Sequence, residues 1–400
     1  MNETATPTSD ADLLSMLSGL RRHIHQHPEV GFEEKETAQY VRNWLTLRGF
    51  SVQGPIARTG LFVDIEGDLP GPMIAYRADM DALPIQDAKK VPYASKNPGV
   101  AHLCGHDAHT SIACGIAMLL KEKTPDLRGS VRVFFQPNEE SNPSGAPVMI
   151  DDGVLDGVSA AYAVHVDPTI DVGRFGLKVG ALTAGCSSFK VQVRSAAAGH
   201  SARPYQAVDT VFVANQILTQ FYQLATRVTD SRKAAVITAC IFNAGEAHNV
   251  IPSMVSFAGT VRSEDPETLA FLRDKMRRVA GSMGALYGAD VDVDYGVELP
   301  PVLNSRGEVD VVRETITERY GPDAIRDIPV PSMGGEDFSF YLERVPGMML
   351  RVGSSSGPRT RYPLHHVRFD IDEKALGFAA RLMTDVLVKD LEKRAAQYHS

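Results

Sequence analysis

Three short apolar runs in the first half of the chain each lead into side chains that can bind a metal or move a proton. The runs Met73–Tyr76, Val131–Gln136 and Ala160–Val164 have the composition of buried strands and are interleaved with helical segments. The side chains that follow them are Asp79 and Asp81, Glu139 and Glu140, and His165. This alternation predicts an α/β fold with a mainly parallel sheet flanked by helices. Because ligands bind beyond the carboxyl ends of such strands, we expect these side chains to meet at one edge of the sheet.

A fourth stretch, His102–Thr110, contains three imidazoles, a thiol and a carboxylate within nine residues. Cys104 and His106 stand on either side of Gly105, so a bend at the glycine would aim both donors at one point. Thiolate and imidazole are ligands that zinc prefers, although a small buried cysteine is often inert packing. The local density of His and Asp favours a metal-binding or proton-transfer role.

Apolar residues at helical spacing predict the helices, and glycine or proline residues mark several of their ends. The predicted helices cover residues 10–24, 34–48, 111–123 (with Thr110 as N-cap), 207–227, 265–286 and 373–393. Between residues 188 and 295 the predicted order becomes strand–helix–strand–strand–helix–strand, which indicates an antiparallel α+β sandwich. A chain of 400 residues exceeds what one hydrophobic core usually supports. We therefore expect one domain at residues 1–182 and 298–400, with a second domain inserted at residues 183–297.

Composition excludes several classes of function. The net charge of −8 and the lack of a Lys/Arg run argue against nucleic-acid binding. No apolar run has the length of a membrane span, and the polar N-terminus lacks the pattern of a signal peptide. The four cysteines are scattered rather than arranged as a disulfide framework, which suits a reducing compartment. We expect a cytoplasmic protein that acts on a small molecule.

The candidate metal donors come from separated segments of the chain. In order they are Cys104, His106, Glu139 or Glu140, His165, and His365 or His366. Five donors exceed a closed structural zinc site, which is usually built from short paired spacings, and they fit two divalent metals that share a water. If one glutamate binds a metal, its neighbour can take the proton of that water. The residues imply metal-assisted hydrolysis of a carbonyl or amidine-like carbon.

Several motifs occur in the order seen in the M20 metallopeptidase family, and the chain resembles its amidohydrolase branch of hippurate hydrolases, aminoacylases and auxin-conjugate hydrolases. The motifs are Arg77–Pro84, Cys104–Asp107, the Glu139–Glu140 pair, His165, Gly199–His200, Asn249–Pro252, Gly334–Phe338 and His365. The resemblance implies hydrolysis of the amide of a small N-acyl amino acid, with a metal-bridging water as nucleophile. It also implies two divalent ions, zinc or manganese, with nickel and cobalt as further candidates.

The resemblance also implies roles for individual residues. The implied metal ligands are Cys104, His106, Glu140, His165 and His365, the last preferred over His366 because Phe369 follows it by four residues. Glu139 is implied as general base and acid, and Asp81 as the acid that orients the site. His200, on an inserted lid and dimerisation domain, is implied to polarise the scissile carbonyl in a partner subunit. Residues expected near the substrate are Asn249, Arg262, Tyr205 and Gly335. The implied assembly is a homodimer, with a tetramer as the alternative.

Some residues depart from the family pattern. Ser141–Ser144 follows the glutamate pair where the family usually has a glycine-rich loop, and Tyr205 stands where a histidine is common. We therefore expect retained chemistry with an atypical substrate. Two other interpretations stay open: an aminohydrolase that releases ammonia from an aromatic amine, and a noncatalytic metal-binding protein. The second glutamate speaks against a passive site.

Overall fold

The computed structural model of the protein describes residues 9–398. Most of the N-terminal segment on which the signal-peptide expectation depends, residues 1–8, lies outside the described residues. Helices cover α1 Asp10–Gln26, α2 Lys35–Thr46, α3 His106–Lys121, α4 Gly145–Asp151, α5 Thr210–Arg227, α6 Pro266–Tyr287, α7 Arg306–Tyr320, α8 Ser339–Leu342 and α9 Lys374–Tyr398. None of the helices between residues 9 and 398 is both long enough and apolar enough to cross a bilayer.

Strands of very different length accompany these helices. They are β1 Gln53–Ile56, β2 Gly60–Glu66, β3 Leu69–Asp79, β4 Arg128–Gln136, β5 Val158–Asp171, β6 Phe175–Leu177, β7 Gly180–Ala181, β8 Gly185–Arg194, β9 Gly199–His200, β10 Ala235–Ala244, β11 Val250–Ile251, β12 Met254–Ser263, β13 Asp290–Leu299, β14 Leu303–Asn304, β15 Ile325–Asp327 and β16 Gly347–Ser355. The strands form two main sheets, one in each compact unit of the chain.

The chain divides into two compact units. The first comprises the residues up to Gly180 together with Leu303–Pro329 and the residues from Asp337 onward. The second comprises Ala181–Val302 and the short segment Val330–Glu336. No sequence pattern predicts that this short segment, which contains Gly335, belongs with the second unit.

The sheet of the first unit has the strand order β1-β2-β4-β3-β5-β16-β6-β15. Its centre is parallel, because β3 pairs in parallel with β4 and β5, and β5 pairs in parallel with β16. Antiparallel pairing joins β1 to β2, β2 to β4, and β6 to β16. The central strands are apolar because helices and loops cover the sheet, as expected for parallel strands. The predicted mainly parallel α/β sheet is confirmed.

Helix α3 begins five residues earlier than the sequence suggests. It starts at His106, with Gly105 as a left-handed N-cap (φ 101°), whereas the sequence predicts a start at Ser111 after Thr110. The polar residues of the first turn look like loop residues but are buried, because they bond to the ends of neighbouring strands. The Thr110 hydroxyl, for example, donates to the carbonyl oxygen of Asp79 at 2.7 Å. Tertiary contacts therefore override the local pattern.

Strand β5 is also longer than predicted. The sequence places its end before His165, where the apolar run Ala160–Val164 stops. In the structure β16 pairs with β5 on both sides of the proline, and the register shifts between Gly353 and Ser355. The shift in register accommodates Pro168, which has no backbone N–H to donate to the ladder. His165 therefore lies within a strand, opposite Arg351, rather than in a loop after it.

The second unit is an antiparallel sheet, β10-β12-β8-β13, against which α5 and α6 pack. Alternate residues of β8 are buried in its core, namely Phe189, Val191 and Val193, while Ser188 and Lys190 on either side of Phe189 are exposed. Phe257 and Phe221 complete the aromatic centre of that core. The predicted strand–helix–strand–strand–helix–strand order is confirmed.

Close helix packing in the first unit generates a prediction about Gly115 of α3. A β-carbon at Gly115 would lie 2.9 Å from Leu17 of α1 and 3.1 Å from Ala380 of α9. We expect Gly115→Val to lower the free energy of unfolding by about 1–3 kcal/mol, because the crowded core must shift. The midpoint of urea denaturation measures this loss. Gly281→Val is the control, since that exposed helical glycine has open space around its β-carbon, and it should change stability by less than about 0.5 kcal/mol.

Candidate metal centre

The bend at Gly105 brings Cys104 and His106 to one place. Gly105 adopts φ 101°, and a β-carbon there would lie 2.4 Å from Cγ2 of Val166, so both conformation and space require glycine. The Sγ atom of Cys104 lies 3.4 Å from Nε2 of His165. One potential ligand atom from each of Cys104, His106 and His165 lies within 4.8 Å of the others. Three donors from two segments thus converge in a buried space.

Hydrogen bonds determine which nitrogen of each imidazole faces this space. Nδ1 of His165 lies 2.8 Å from the carbonyl oxygen of Val166, and Nδ1 of His106 lies 2.9 Å from the carbonyl oxygen of Asp81. A carbonyl oxygen only accepts, so each Nδ1 carries a proton, and in the neutral ring the lone pair lies on Nε2. Within residues 9–398, Nε2 of His106 is buried and has no hydrogen-bond partner. That unpaired acceptor is suited to a metal ion.

The two glutamates lie in the loop after β4. Oε1 of Glu140 is 3.2 Å from Nε2 of His365 and 3.9 Å from Nε2 of His106. Oε2 of Glu139 is 4.0 Å from the same nitrogen of His106. Asp81 connects this loop to α3, because one of its oxygens accepts the backbone N–H of Glu140 at 3.0 Å while the other lies 3.1 Å from Nδ1 of His106.

The structure distinguishes His365 from His366. The backbone of His365 has φ 66° and its N–H donates to the carbonyl oxygen of Leu103 at 2.8 Å, which brings the ring beside Glu140 and Cys104. His366 turns away, since its Nδ1 accepts the backbone N–H of Arg368 and its ring stacks on Tyr362 at 4.6 Å. The sequence leaves open which of these two histidines is the candidate donor. In the structure His365 lies at the cluster and His366 does not.

The other two imidazoles of the His102–Thr110 stretch are not grouped with Cys104 or with the two glutamates. Nδ1 of His109 lies 2.7 Å from Oδ1 of Asp79, and its Nε2 accepts the backbone N–H of Val166 at 3.0 Å, so both nitrogens are occupied. His102 is buried and belongs to none of the donor groups among the described residues, and burial lowers its pKa to about 3, which keeps the ring neutral. Of the three histidines in the stretch, His106 is the one that joins Cys104 and the glutamates.

Burial sets the charge state of the thiol and of His165. Burial raises the pKa of the Cys104 thiol well above its ordinary value, and the nearby Glu140 adds to the effect. Burial also lowers the pKa of His165 well below its ordinary value, so its imidazole is neutral. A thiolate here requires a compensating positive charge close by. A divalent cation among these donors would supply it.

A buried ion-pair network beneath the cluster was not predicted from the sequence. Arg77, which is 1% exposed, contacts Asp79 at 2.6 Å and Asp337 at 2.7 Å. Asp337 also accepts hydrogen bonds from Gln136 and from Ser144, which closes the loop that carries the glutamates. Burial opposes the charge of Asp79, but His106, His109 and Arg77 hold its pKa well below the usual range. Sequence motifs include Arg77 and Asp337 without indicating this contact.

Glu34 is a second residue that the sequence analysis missed. Its side chain is fully buried, Oε1 accepts the N–H groups of Phe32 and Asn138, and Oε2 accepts the hydroxyl of Thr59. Asn138 precedes Glu139 and has φ 51°, so the carboxylate holds the residue before Glu139 in an uncommon conformation. Burial raises the pKa of Glu34 to about 7. Nothing in the local sequence separates Glu34 from its exposed neighbour Glu33.

The remaining predicted site residues all lie in the second unit. Nδ1 of His200 accepts the backbone N–H of Ala202 at 3.1 Å, and its ring is exposed. Arg262 donates to the carbonyl oxygen of Met333 at 2.8 Å. Tyr205 is 82% exposed and Asn249 is also exposed. Gly335 packs tightly, because a β-carbon there would lie 2.4 Å from Leu299.

Comparison with known proteins identifies the family. Residues 75–389 match the sequence model of peptidase family M20/M25/M40. The chain belongs to this peptidase family. An N-acetyl-L-cysteine deacetylase of Bacillus subtilis is 37% identical to this M20 chain over 94% of the chain and 88% of the relative.

Solved structures of the same fold extend over almost the whole M20 chain. A putative aminohydrolase of methicillin-resistant Staphylococcus aureus has a TM-score of 0.92 and 31% identity, and covers 98% of this chain and 100% of its own. A Bacillus subtilis protein described as a dinuclear metal binding peptidase of the M20 family has a TM-score of 0.85 and 34% identity, with coverage of 96% and 99%. The predicted family, the α/β fold and the class of metal-dependent hydrolase acting on amide bonds are confirmed.

The environment of Glu34 predicts how stability depends on pH. An acid whose pKa is about 4.5 when unfolded and about 7 when folded binds a proton more tightly in the native state. The contribution of Glu34 to the free energy of unfolding is therefore fully present below pH 4.5. It falls as the pH rises to 7, by at most about 3 kcal/mol. Glu34→Gln keeps a neutral group of the same shape and should remove this component. Unfolding free energies measured in chelator from pH 4.5 to 7, so that no bound cation alters the titration, test this.

The matched control is Glu33→Gln, at the exposed neighbouring position that contacts Lys35. It should retain the pH slope of the parent protein. If the unfolding free energies of the parent protein and of Glu34→Gln depend on pH in the same way, the raised pKa of Glu34 is contradicted.

Proposed function

We propose that this chain is an amidohydrolase that cleaves the amide of a small N-acyl amino acid into a carboxylic acid and a free amine. The observation that carries the proposal is the pair of consecutive glutamates at one imidazole. Glu140 lies with Cys104 and His365, while Glu139 approaches His106 from the same loop. A binding site alone needs one of these carboxylates, whereas hydrolysis needs both. Similarity to an N-acetyl-L-cysteine deacetylase supports this substrate class.

The donor set fits two divalent ions. The residues that would hold them are Cys104, His106, Glu140, His165 and His365, and the buried, unpaired Nε2 of His106 supports the fit. The thiolate favours zinc, while imidazole and carboxylate ligands also suit manganese, nickel or cobalt. Bound divalent ions would lower the pKa of a water molecule and polarise the carbonyl oxygen of the amide. Similarity to a protein described as binding a dinuclear metal supports the number of two.

The residues of the chain then handle the protons. The carboxylate of Glu139 takes the proton of the attacking water and returns it to the leaving nitrogen, as a general base and then a general acid. Asp81 is a positioning residue, since it accepts the Nδ1 proton of His106 and the N–H of Glu140. These two contacts fix the position of the His106 ring relative to the glutamate loop.

His200 and its neighbours form the substrate-facing part of the proposal. Because Nδ1 of His200 accepts a hydrogen bond, the neutral ring carries its proton on Nε2. An exposed N–H of this kind can donate to the carbonyl oxygen of the amide and stabilise the oxyanion. We include Asn249, Arg262, Tyr205 and Gly335 as substrate contacts of a lid and dimerisation domain at residues 183–297, with residues 1–182 and 298–400 as the catalytic domain. A cytoplasmic homodimer with His200 acting in the partner's site completes the proposal.

An aminohydrolase is the second candidate. The observation that favours it is the similarity to the putative aminohydrolase of Staphylococcus aureus. Both reactions need the same metal centre and the same proton transfer, and they differ in the leaving group. Ammonia as the nitrogen product would therefore identify the second reaction.

The deciding experiment offers the purified, metal-loaded protein a panel of N-acyl amino acids and aromatic amines. Free amino acid and ammonia are both measured. We expect an amino acid and a carboxylic acid from at least one N-acyl substrate. In the same assays Glu139→Gln should keep the metal content and lose about 10²–10⁴-fold in kcat/KM, because only proton transfer is removed.

Glu33→Gln serves as the control and should retain full activity, since its side chain is exposed and contacts Lys35. Metal loss in Glu139→Gln would contradict its role as the base. A protein that binds two metals and turns over no member of the panel would contradict the amidohydrolase proposal.

The two adjacent histidines provide a direct test of the ligand set. His365→Asn should lower the metal content of the purified protein, because its ring lies beside Glu140, whereas His366→Asn should leave it unchanged. Elemental analysis of both variants, prepared side by side, measures the difference. Equal metal content in the two proteins would remove His365 from the ligand set.

A further inference from the structure

A cavity of about 430 Å³ lies in the first unit, away from the side chains assigned to the metal centre. Its walls are the segment Ala88–Val91 and parts of the segment from Arg359 to Asp370. The volume is within the range of pockets that hold small organic molecules. None of the residues in its wall has a role in the proposed hydrolysis.

The cavity is strongly cationic in a protein of net charge −8. Lys89, Lys90, Arg359 and Arg368 line it, against a single carboxylate, Asp370. Asp370 is engaged by side chains outside the wall, because Arg21 contacts one of its oxygens at 2.6 Å and the hydroxyl of Tyr93 donates to the other at 2.8 Å. The excess of positive charge in the wall is therefore not compensated from within it.

Within the described residues, three of the four cations have no acidic partner of their own. Lys89 is held by Asp87 at 3.0 Å, but the side chains of Lys90, Arg359 and Arg368 make no ion pair or hydrogen bond with any residue in the described range 9–398. Arg361, two residues from Arg359, differs from these side chains because it forms an ion pair with Asp171 at 2.5 Å. The three side chains are exposed, and their shared positive charge would attract an anion to the cavity that they line.

The wall of the cavity includes the segment that carries His365. Arg359 and Tyr362 precede His365 and Arg368 follows it, while the ring of Tyr362 stacks on His366. On the other side, the N–H of Ala88 donates to the carbonyl oxygen of Val367 at 2.9 Å. An occupant of the cavity would thus contact both flanks of the His365 segment.

We propose that this cavity binds a small organic anion through a carboxylate or phosphate group. The guanidinium groups of Arg359 and Arg368 match the paired oxygens of either group, and Lys90 adds a third positive charge. The ring of Tyr362 supplies an apolar surface for the organic part of the ligand. Binding holds the segment from Arg359 to Arg368 against Ala88–Val91 and so stabilises the backbone that presents His365.

Isothermal titration of the full-length, metal-loaded protein with inorganic phosphate and, separately, with succinate tests the site at low ionic strength. We expect saturable binding of at least one probe with one site per chain. The double variant Arg359→Gln/Arg368→Gln should weaken binding about tenfold or more, because two charge-assisted contacts are lost. The control is Arg361→Gln, which removes a charge from the same segment outside the cavity and should leave affinity unchanged. Thermal unfolding without probe shows whether the variants remain folded.

The two probes distinguish the sources of the anion. Binding of phosphate alone indicates a phosphorylated ligand, binding of succinate alone indicates a carboxylate ligand, and comparable binding of both indicates a site that accepts either group. No binding of either probe overturns the proposal. Affinity that is undiminished in the double variant, or reduced equally in Arg361→Gln, also overturns it. Glu139→Gln should bind the probe like the parent protein, so this result does not depend on the proposed hydrolysis.

Discussion

The buried guanidinium of Arg77 is the interaction on which the arrangement of the site depends. It lies at the end of β3 and connects Asp79 of the same strand with Asp337, which in turn holds Gln136 at the end of β4 and Ser144 of the glutamate loop. A buried charge is tolerated only when its partners are placed to compensate it, so each of these segments is held by the same requirement. The donors of the metal centre then extend from a backbone that has little freedom to adjust.

A second constraint acts from the other side of the cluster. Asp81 binds His106 and the backbone of Glu140, while Glu34 binds the backbone of Asn138 from 104 residues earlier in the chain. The glutamate loop is thus anchored at Asn138 and at Glu140, on either side of Glu139, by carboxylates from other segments. This explains how a loop, which is ordinarily mobile, can place two consecutive carboxylates at one imidazole.

Much of the fold and most of the candidate donors were predictable, while helix α7 and several element boundaries were not. The sequence indicates the strands by their apolar runs and the donors by their side-chain chemistry. Both can be identified without knowledge of tertiary contacts. It misplaces the start of α3 because His106, Asp107 and His109 look like exposed loop residues, although in the structure their bonds to other segments bury them. It shortens β5 because the apolar run stops at Val164, whereas pairing with β16 continues the strand past Pro168.

What the sequence alone determined is the chemistry at hand: a thiol, imidazoles and paired carboxylates at the ends of strands in an α/β chain. Only the tertiary structure decided which of two neighbouring histidines faces Glu140, why His109 is unavailable and that Glu34 and Arg77 support the site. The reason is physical. The type of a side chain is a local property, whereas the direction of its lone pair depends on hydrogen bonds to backbone groups from distant segments, and these exist only after the chain has folded.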